Sequence, residues 1–207
     1  MGSCTSRATE SEIEKHKQSL SNKNDRNFYF VPEVYTGSLK EAKADLLERI
    51  QFFELRQKIQ IQGIAQTSKL TVEVQKGVNL VKKVSCFKSV DPFVRVSLQP
   101  NGPRYDSKSS DALYPSWYCV FSFCQSLSTF QKVLVEVINR TDNETLGQTE
   151  VYLEELSTQQ VNSSWHFLKN SSDSSASVRM RIQLIKDEKS LLDQLLKDCK
   201  SKLQKLV

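Results

Sequence analysis

The sequence predicts a mainly β protein: an eight-stranded antiparallel β-sandwich with one α-helix before it and one after it. Three observations lead there. Between residues 69 and 185 apolar and polar residues alternate with period two in a series of short runs. Gly, Pro, Asn and Asp cluster between those runs, where chain reversals are needed. Before and after this region the apolar residues recur at steps of three and four, the spacing of one helix face.

Residues 8–27 are polar and charged, with Ile13 and Leu20 as isolated apolar positions, and read as a tether. The following stretch, Phe28-Tyr-Phe-Val-Pro-Glu-Val-Tyr35, is too aromatic for a free linker and is expected against a surface. Ser38 precedes Glu41 by three residues, a pairing in which each side chain satisfies the other's backbone N–H at a helix start. Leu39, Ala42, Leu46, Ile50 and Phe53 then mark a helix over 39–57. Residues 58–65 offer either a further strand or the fraying end of that helix.

The strands follow in order. Leu70, Val72 and Val74 alternate with Thr71, Glu73 and Gln75; Phe93, Val94, Val96 and Leu98 form the second run. Further runs span 117–123, 133–138, 146–153, 165–168 and 178–184, and Trp117 and Trp165 have the bulk to fill a sandwich core. Residues 187–206 return to helical spacing, with Leu192, Leu195, Leu196, Cys199, Leu203 and Leu206 on one side. This second helix is too short for an autonomous coiled coil and is expected to dock on the sandwich or on helix 39–57. The organisation is therefore an N-terminal segment 1–37, a helix 38–57, a sandwich 58–185 and a helix 186–207.

Composition excludes several function classes. No apolar run approaches the roughly 20 residues of a membrane-spanning helix, and nothing resembles a signal peptide. The five cysteines form no C-x-x-C pair and are odd in number, so neither a zinc site nor a disulfide framework is expected. The two histidines, His16 and His166, lie far apart and in unlike contexts, and no catalytic cluster is visible, so an enzyme is not expected. The net charge of +5 is spread along the chain. That suits an anionic membrane surface better than nucleic acid, which calls for a local basic stripe.

Residues 1–7, Met-Gly-Ser-Cys-Thr-Ser-Arg, carry the clearest statement about location. With Met1 removed, Gly2 becomes an acceptor for myristate, and Ser6 occupies the hydroxyl position of that pattern. Cys4 lies close enough to be palmitoylated. One chain anchors marginally and two anchor stably. A peripheral, lipid-anchored protein on the cytoplasmic side of a membrane is the expectation.

The sandwich region also carries a family resemblance. Residues 69–80, Lys-Leu-Thr-Val-Glu-Val-Gln-Lys-Gly-Val-Asn-Leu, resemble the opening strand of a C2 domain, the lipid-binding β-sandwich of protein kinase C and synaptotagmin. Asp91-Pro-Phe-Val-Arg-Val96 resembles that family's Ser-Asp-Pro-Tyr-Val-Lys segment. Leu113-Tyr-Pro-Ser-Trp117, followed by Phe121 and Phe123, is similar to its Asn-Pro-x-Trp turn and strand, and Leu146-Gly147 and Trp165-x-x-Leu168 complete the order. C2 domains occur in two circularly permuted forms. The clean alternation of 178–184 favours the one whose last strand follows 165–168. Gly147 is expected to permit a tight strand entry.

The resemblance implies site residues, and here the sequence departs from the pattern. Calcium-binding relatives offer an aspartate before the Asp-Pro and an Asp-x-Asp pair with a further acid beyond it. In this chain those positions fall near Ser85 and on Asn139, Thr141 and Glu144, with Asp91 retained and Asp142 near by. Calcium prefers roughly six to eight oxygens, largely carboxylate, so no metal and no other cofactor is expected. In the first loop, Val84 and Phe87 with Lys82, Lys83 and Lys88 read as a membrane-contact loop. Arg95, Arg104 and Lys108 read as a basic patch of the kind relatives use for phosphoinositides.

Together these readings predict a lipid-anchored, calcium-independent C2-domain adaptor or scaffold. Its partners would be anionic membrane lipids and, through the flanking helices, other proteins, with no nucleic acid. The alternative is a C2-like protein-interaction module in a cytoskeletal or ciliary assembly, without direct lipid contact.

Overall fold

The computed structural model describes residues 28–32, 35, 37–61, 68–80, 90–110, 115–124 and 126–206. In chain order the elements are α1 (Leu39–Ile61), β1 (Lys69–Val78), β2 (Pro92–Gln99), β3 (Arg104–Asp106) and β4 (Ser116–Phe123). They continue with β5 (Lys132–Asn139), β6 (Thr145–Tyr152), β7 (Val161–Phe167), β8 (Ser177–Ile185) and α2 (Glu188–Lys205).

The eight strands form two four-stranded antiparallel sheets, ordered β4-β1-β8-β7 and β3-β2-β5-β6. Alternation puts Leu70, Val72 and Val74 of β1 and Val178, Met180, Ile182 and Leu184 of β8 on the inner face of the first sheet. They meet Val94, Val96 and Leu98 of β2 and Val133, Val135 and Val137 of β5. Each of these side chains contributes roughly 1.5–3 kcal/mol by leaving water, which is the main force closing the sandwich. β8 is the last strand and pairs with both β1 and β7, the permutation that the alternation favoured.

Two details of register were hidden in the alternation. A bulge between Val74 and Lys76 shifts β1 by one residue, so that Lys76 stands opposite Arg179 and Gly77 opposite Val178. Trp165, expected in the core, is turned outward: it pairs with Arg179, whose neighbours Val178 and Met180 point inward, and it is 41% exposed. Trp117 does pack against the core, its ring lying over Gly77 and its indole N–H donating to the Pro92 carbonyl at 3.1 Å. Gly147 lies within β6 opposite Val137, and a Cβ there would stand 2.8 Å from the Leu168 Cβ. Its role is close packing of β6 on the residue after β7.

Helix α1 begins as the Ser38/Glu41 pairing requires: Ser38 N–H donates to Glu41 Oε2 at 2.7 Å, and Glu41 N–H donates to Ser38 Oγ at 3.3 Å. It runs to Ile61, beyond the expected residue 57, so 58–61 are helical rather than a strand. The sequence offers no breaker before Gly63. Asp187 caps α2 by accepting from Ser190 N–H at 3.1 Å. The two helices lie antiparallel, since Arg56 meets Glu188, Gln57 meets Asp193 and Glu54 meets Lys200. Leu46, Ile50 and Phe53 of α1 interlock with Leu191, Leu192, Leu195, Leu196 and Cys199 of α2 in a second core, which also includes Tyr29 and Ile185. Helix α2 thus docks on α1.

Candidate functional site

Residues 28–30 join the helical pair to the sandwich. Phe28 and Tyr29 are buried, and they lie on the outer face of the first sheet, which a one-sided sandwich would leave to water. Gln183 of β8 holds this strap by its backbone: Oε1 accepts from Tyr29 N–H at 2.7 Å, and Nε2 donates to the Tyr29 carbonyl at 2.6 Å. Arg181, one register step away, stacks under the Phe28 ring at 4.6 Å and the Phe30 ring at 5.6 Å, and pairs with Glu73 at 3.3 Å. The Tyr29 hydroxyl donates to Glu188 Oε1 at 2.5 Å, and Arg56 grips both oxygens of the same carboxylate at 2.7 and 3.3 Å. Burial, with Glu188 beside it, pushes the Tyr29 phenol far above its ordinary range.

At one end of the sandwich, Asp91 enters β2 and residues 139–144 join β5 to β6. Asn139, almost wholly buried, ties the two segments together. Its Oδ1 accepts from Asp91 N–H at 2.9 Å and from Thr141 N–H at 3.4 Å, and its Nδ2 donates to Asp142 Oδ1 at 2.8 Å. Asp142 Oδ1 also accepts from Glu144 N–H at 3.1 Å. Arg140 carries its guanidinium 3.9 Å from Asp91 Oδ2 and over the Phe93 ring at 5.1 Å. The fold family implies calcium here, but these residues do not fit it. A metal ion would have to displace a guanidinium from Asp91 and break the amide link through Asn139. Arg140 is the residue that sequence reasoning missed, although it stands in the centre of the degenerate Asn139–Thr141 motif.

The candidate basic residues do not form one cationic surface. Arg95 of β2 makes a bidentate pair with Asp106 of β3, at 2.8 and 2.9 Å. That pairing holds the Asp106 carboxyl below the usual carboxylate range and raises the Arg95 guanidinium. Glu136 stands opposite Arg95 on its other side. Arg104 and Lys108 are exposed. The acylation residues Gly2 and Cys4, and the loop residues Lys82, Lys83, Val84, Phe87 and Lys88, lie outside the described residues.

Of the described thiols, Cys124 is exposed and Cys119 and Cys199 are poor nucleophiles. Burial pushes Cys119 up to about 12, with its Sγ donating to the Val74 carbonyl at 3.7 Å, and pushes Cys199 up to about 11. His166 is held below its ordinary range by desolvation, and its Nε2 shares a hydrogen bond with Ser164 Oγ at 2.9 Å. No described helix is long and apolar enough to cross a membrane.

The strand order, the Asp91-Pro92 entry to β2 and the Trp117 turn agree with the resemblance seen in the sequence, and the family model for the C2 domain matches residues 68–168. These residues, just under half of the chain, match the C2 domain. No curated protein matches the chain at a significant level. Among solved structures, the C2 domain is similar to a portion of extended synaptotagmin 2 that holds its SMP domain and two C2 domains, at 21% identity and a TM-score of 0.52, covering 63% of this chain and 30% of that one. A structure of the two C2 domains of extended synaptotagmin 2 alone matches at 22% identity and a TM-score of 0.49, covering 58% and 40%. A single C2 domain of a plant extended synaptotagmin 1 matches at 18% and 0.49, covering 58% of this chain and 95% of that one. At these identities the likeness is one of fold. The chain spans well under half of the first two of these structures.

Proposed function

We propose that the chain is a calcium-independent, lipid-anchored C2-domain adaptor at the cytoplasmic face of a membrane. The observation that carries this reading is the C2 domain of residues 68–168, in a chain whose first residues present Gly2 and Cys4 as acyl acceptors. Calcium independence draws support from Arg140, whose guanidinium lies 3.9 Å from Asp91 Oδ2. The chain catalyses nothing itself. Its output is the recruitment of proteins, for which Leu47 and Leu55 on the exposed side of α1 provide contact area.

The test compares wild type with Gly2→Ala in cells, by myristate labelling and membrane fractionation. Gly2→Ala should lose the label and move largely to the soluble fraction, and Cys4→Ser should give an intermediate distribution. Calorimetric titration of the purified protein with calcium should show no binding tighter than about 0.1 mM. A Gly2→Ala protein that fractionates like wild type defeats the anchor. It favours the second reading, a protein-interaction module in a cytoskeletal or ciliary assembly, for which the same exposed leucines of α1 speak.

A further inference from the structure

The strap covers only part of the outer face of the β4-β1-β8-β7 sheet. Beyond Arg181 the next row across the sheet is Lys76 of β1, Arg179 of β8 and Trp165 of β7, placed side by side by the register. The row after it holds Val78, Ser177 and Phe167. The bulge in β1 creates this arrangement, because without the one-residue shift Lys76 would point into the core and Gln75 outward. Trp165 is 41% exposed and Phe167 is 70% exposed, the largest exposure among the described aromatic residues. The Lys76 ammonium lies over the Trp165 ring at 5.7 Å, and Arg179 makes no ion pair among the described residues.

Cations outnumber carboxylates on this area. Glu73, the carboxylate in the neighbouring row, is 1% exposed and paired with Arg181. Asp173, in the turn before β8, has its Oδ1 bonded by Ser175 N–H and Oγ at 2.8 and 2.7 Å. The opposite sheet differs: there Arg95 is matched by Asp106, and Lys132 by Glu150 at 2.5 Å. A flat face with two uncompensated cations and two protruding rings matches the interface of an anionic bilayer. Cations meet phosphates there while an indole and a phenyl ring enter the headgroup layer. A groove-seeking peptide would need side-chain pockets, which flat rows of a sheet do not supply. Phe28, the first described residue, lies against Arg181 on the border of this area.

We propose that the face formed by Lys76, Arg179, Trp165 and Phe167 is the surface by which the C2 domain lies on anionic lipid. This contact rests on the membrane reading above and gives it a location other than the first loop.

The experiment uses the full chain without acylation and vesicles of phosphatidylcholine with about 30% phosphatidylserine, some carrying brominated acyl chains. The protein has two tryptophans. Brominated vesicles should quench emission of the wild type, and Trp165→Phe should abolish the quenching while leaving sedimentation with vesicles largely intact. Lys76→Gln with Arg179→Gln should weaken vesicle binding about 30-fold at low salt, with a smaller difference at high salt. Phe167→Ser should weaken it several-fold with an unchanged melting temperature. If wild type binds vesicles and the charge and Phe167 variants bind equally well, this face is not the contact and the membrane reading stands on the first loop. If the non-acylated protein ignores vesicles, the proposal is overturned, and Gly2→Ala fractionation decides separately whether acylation acts alone. Binding to polyglutamate but not to vesicles, lost in the charge variant, would assign the face to an acidic protein and overturn the lipid contact.

Discussion

Replacing Glu188 with Ala tests the joint between the helical pair and the C2 domain. Its carboxylate is 1% exposed and receives hydrogen bonds from Arg56, at both oxygens, and from Tyr29. Truncating one member of a fully buried ion pair costs about 3–5 kcal/mol, mostly through the charge left behind. The Arg56 side chain is 27% exposed, so water can solvate part of its guanidinium and the lower end applies. The Tyr29 hydroxyl loses its acceptor, at roughly 1 kcal/mol, and α2 loses a negative charge from its first turn, at about 0.3–1 kcal/mol. These contributions overlap, and about 3–4 kcal/mol in total is expected. For a chain of this size that lowers the melting temperature by roughly 10 °C. Glu188→Gln keeps an acceptor for Tyr29 but not the charge, and should lose about half as much. Thermal unfolding followed by circular dichroism measures both, with a Tyr29→Phe/Glu188→Gln double-mutant cycle isolating the coupling. A Glu188→Ala melting temperature within 2 °C of wild type, where ~1 kcal/mol would already register, would refute the view that this network joins the two cores.

Gly147→Ala should destabilise the C2 domain by about 2 kcal/mol, because the new Cβ would sit 2.8 Å from the Leu168 Cβ and 3.1 Å from the Ser171 Cβ; urea unfolding of the purified variant measures the loss. Tyr29 gives a pH signature of definite sign. Its folded phenol keeps its proton above the ordinary value of about 10, where the unfolded chain releases it, so that stability is full below pH 10 and falls as pH rises above it. Comparing urea midpoints at pH 8 and pH 11 should show a smaller alkaline loss in Tyr29→Phe than in wild type; equal losses would mean that the phenol is not held as described.

Much of the sandwich was legible because its inner face obeys one rule: every second residue of β2, β5 and β8, and of β1 as far as Val74, is apolar and buried. The two helices were legible from their spacing, and the start of α1 from Ser38 and Glu41. What alternation cannot reveal is a second cover. Thr71, Glu73 and Gln183 occupy the positions that water normally takes, yet all three are buried, and their polarity looked like exposure in the sequence. The aromatic run at 28–30 was the available signal, since three adjacent rings need a surface, but nothing local says which one. Trp165 misled in the opposite sense. Its size argues for the core, while its place in the β7 register turns it out, and a single bulge at residue 75 decides which side Lys76 takes. In the candidate calcium loops the loss of carboxylates was visible, whereas the guanidinium of Arg140 beside Asp91 depends on the turn geometry.

The bond between Tyr29 and Glu188 spans 159 positions of sequence. During synthesis at about 5–20 residues per second, Tyr29 is made roughly 10–30 s before its partner exists. Through that interval Tyr29, Leu46 and Phe53 have no α2 to lie against, and Gln183, which fixes the strap, is itself not yet made. A nascent or prematurely terminated chain therefore displays an oily helix and three adjacent rings, the kind of surface that chaperones and proteases inspect. Nonsense or frameshift changes after residue 186 would leave every strand intact and still yield a protein that the cell is expected to remove.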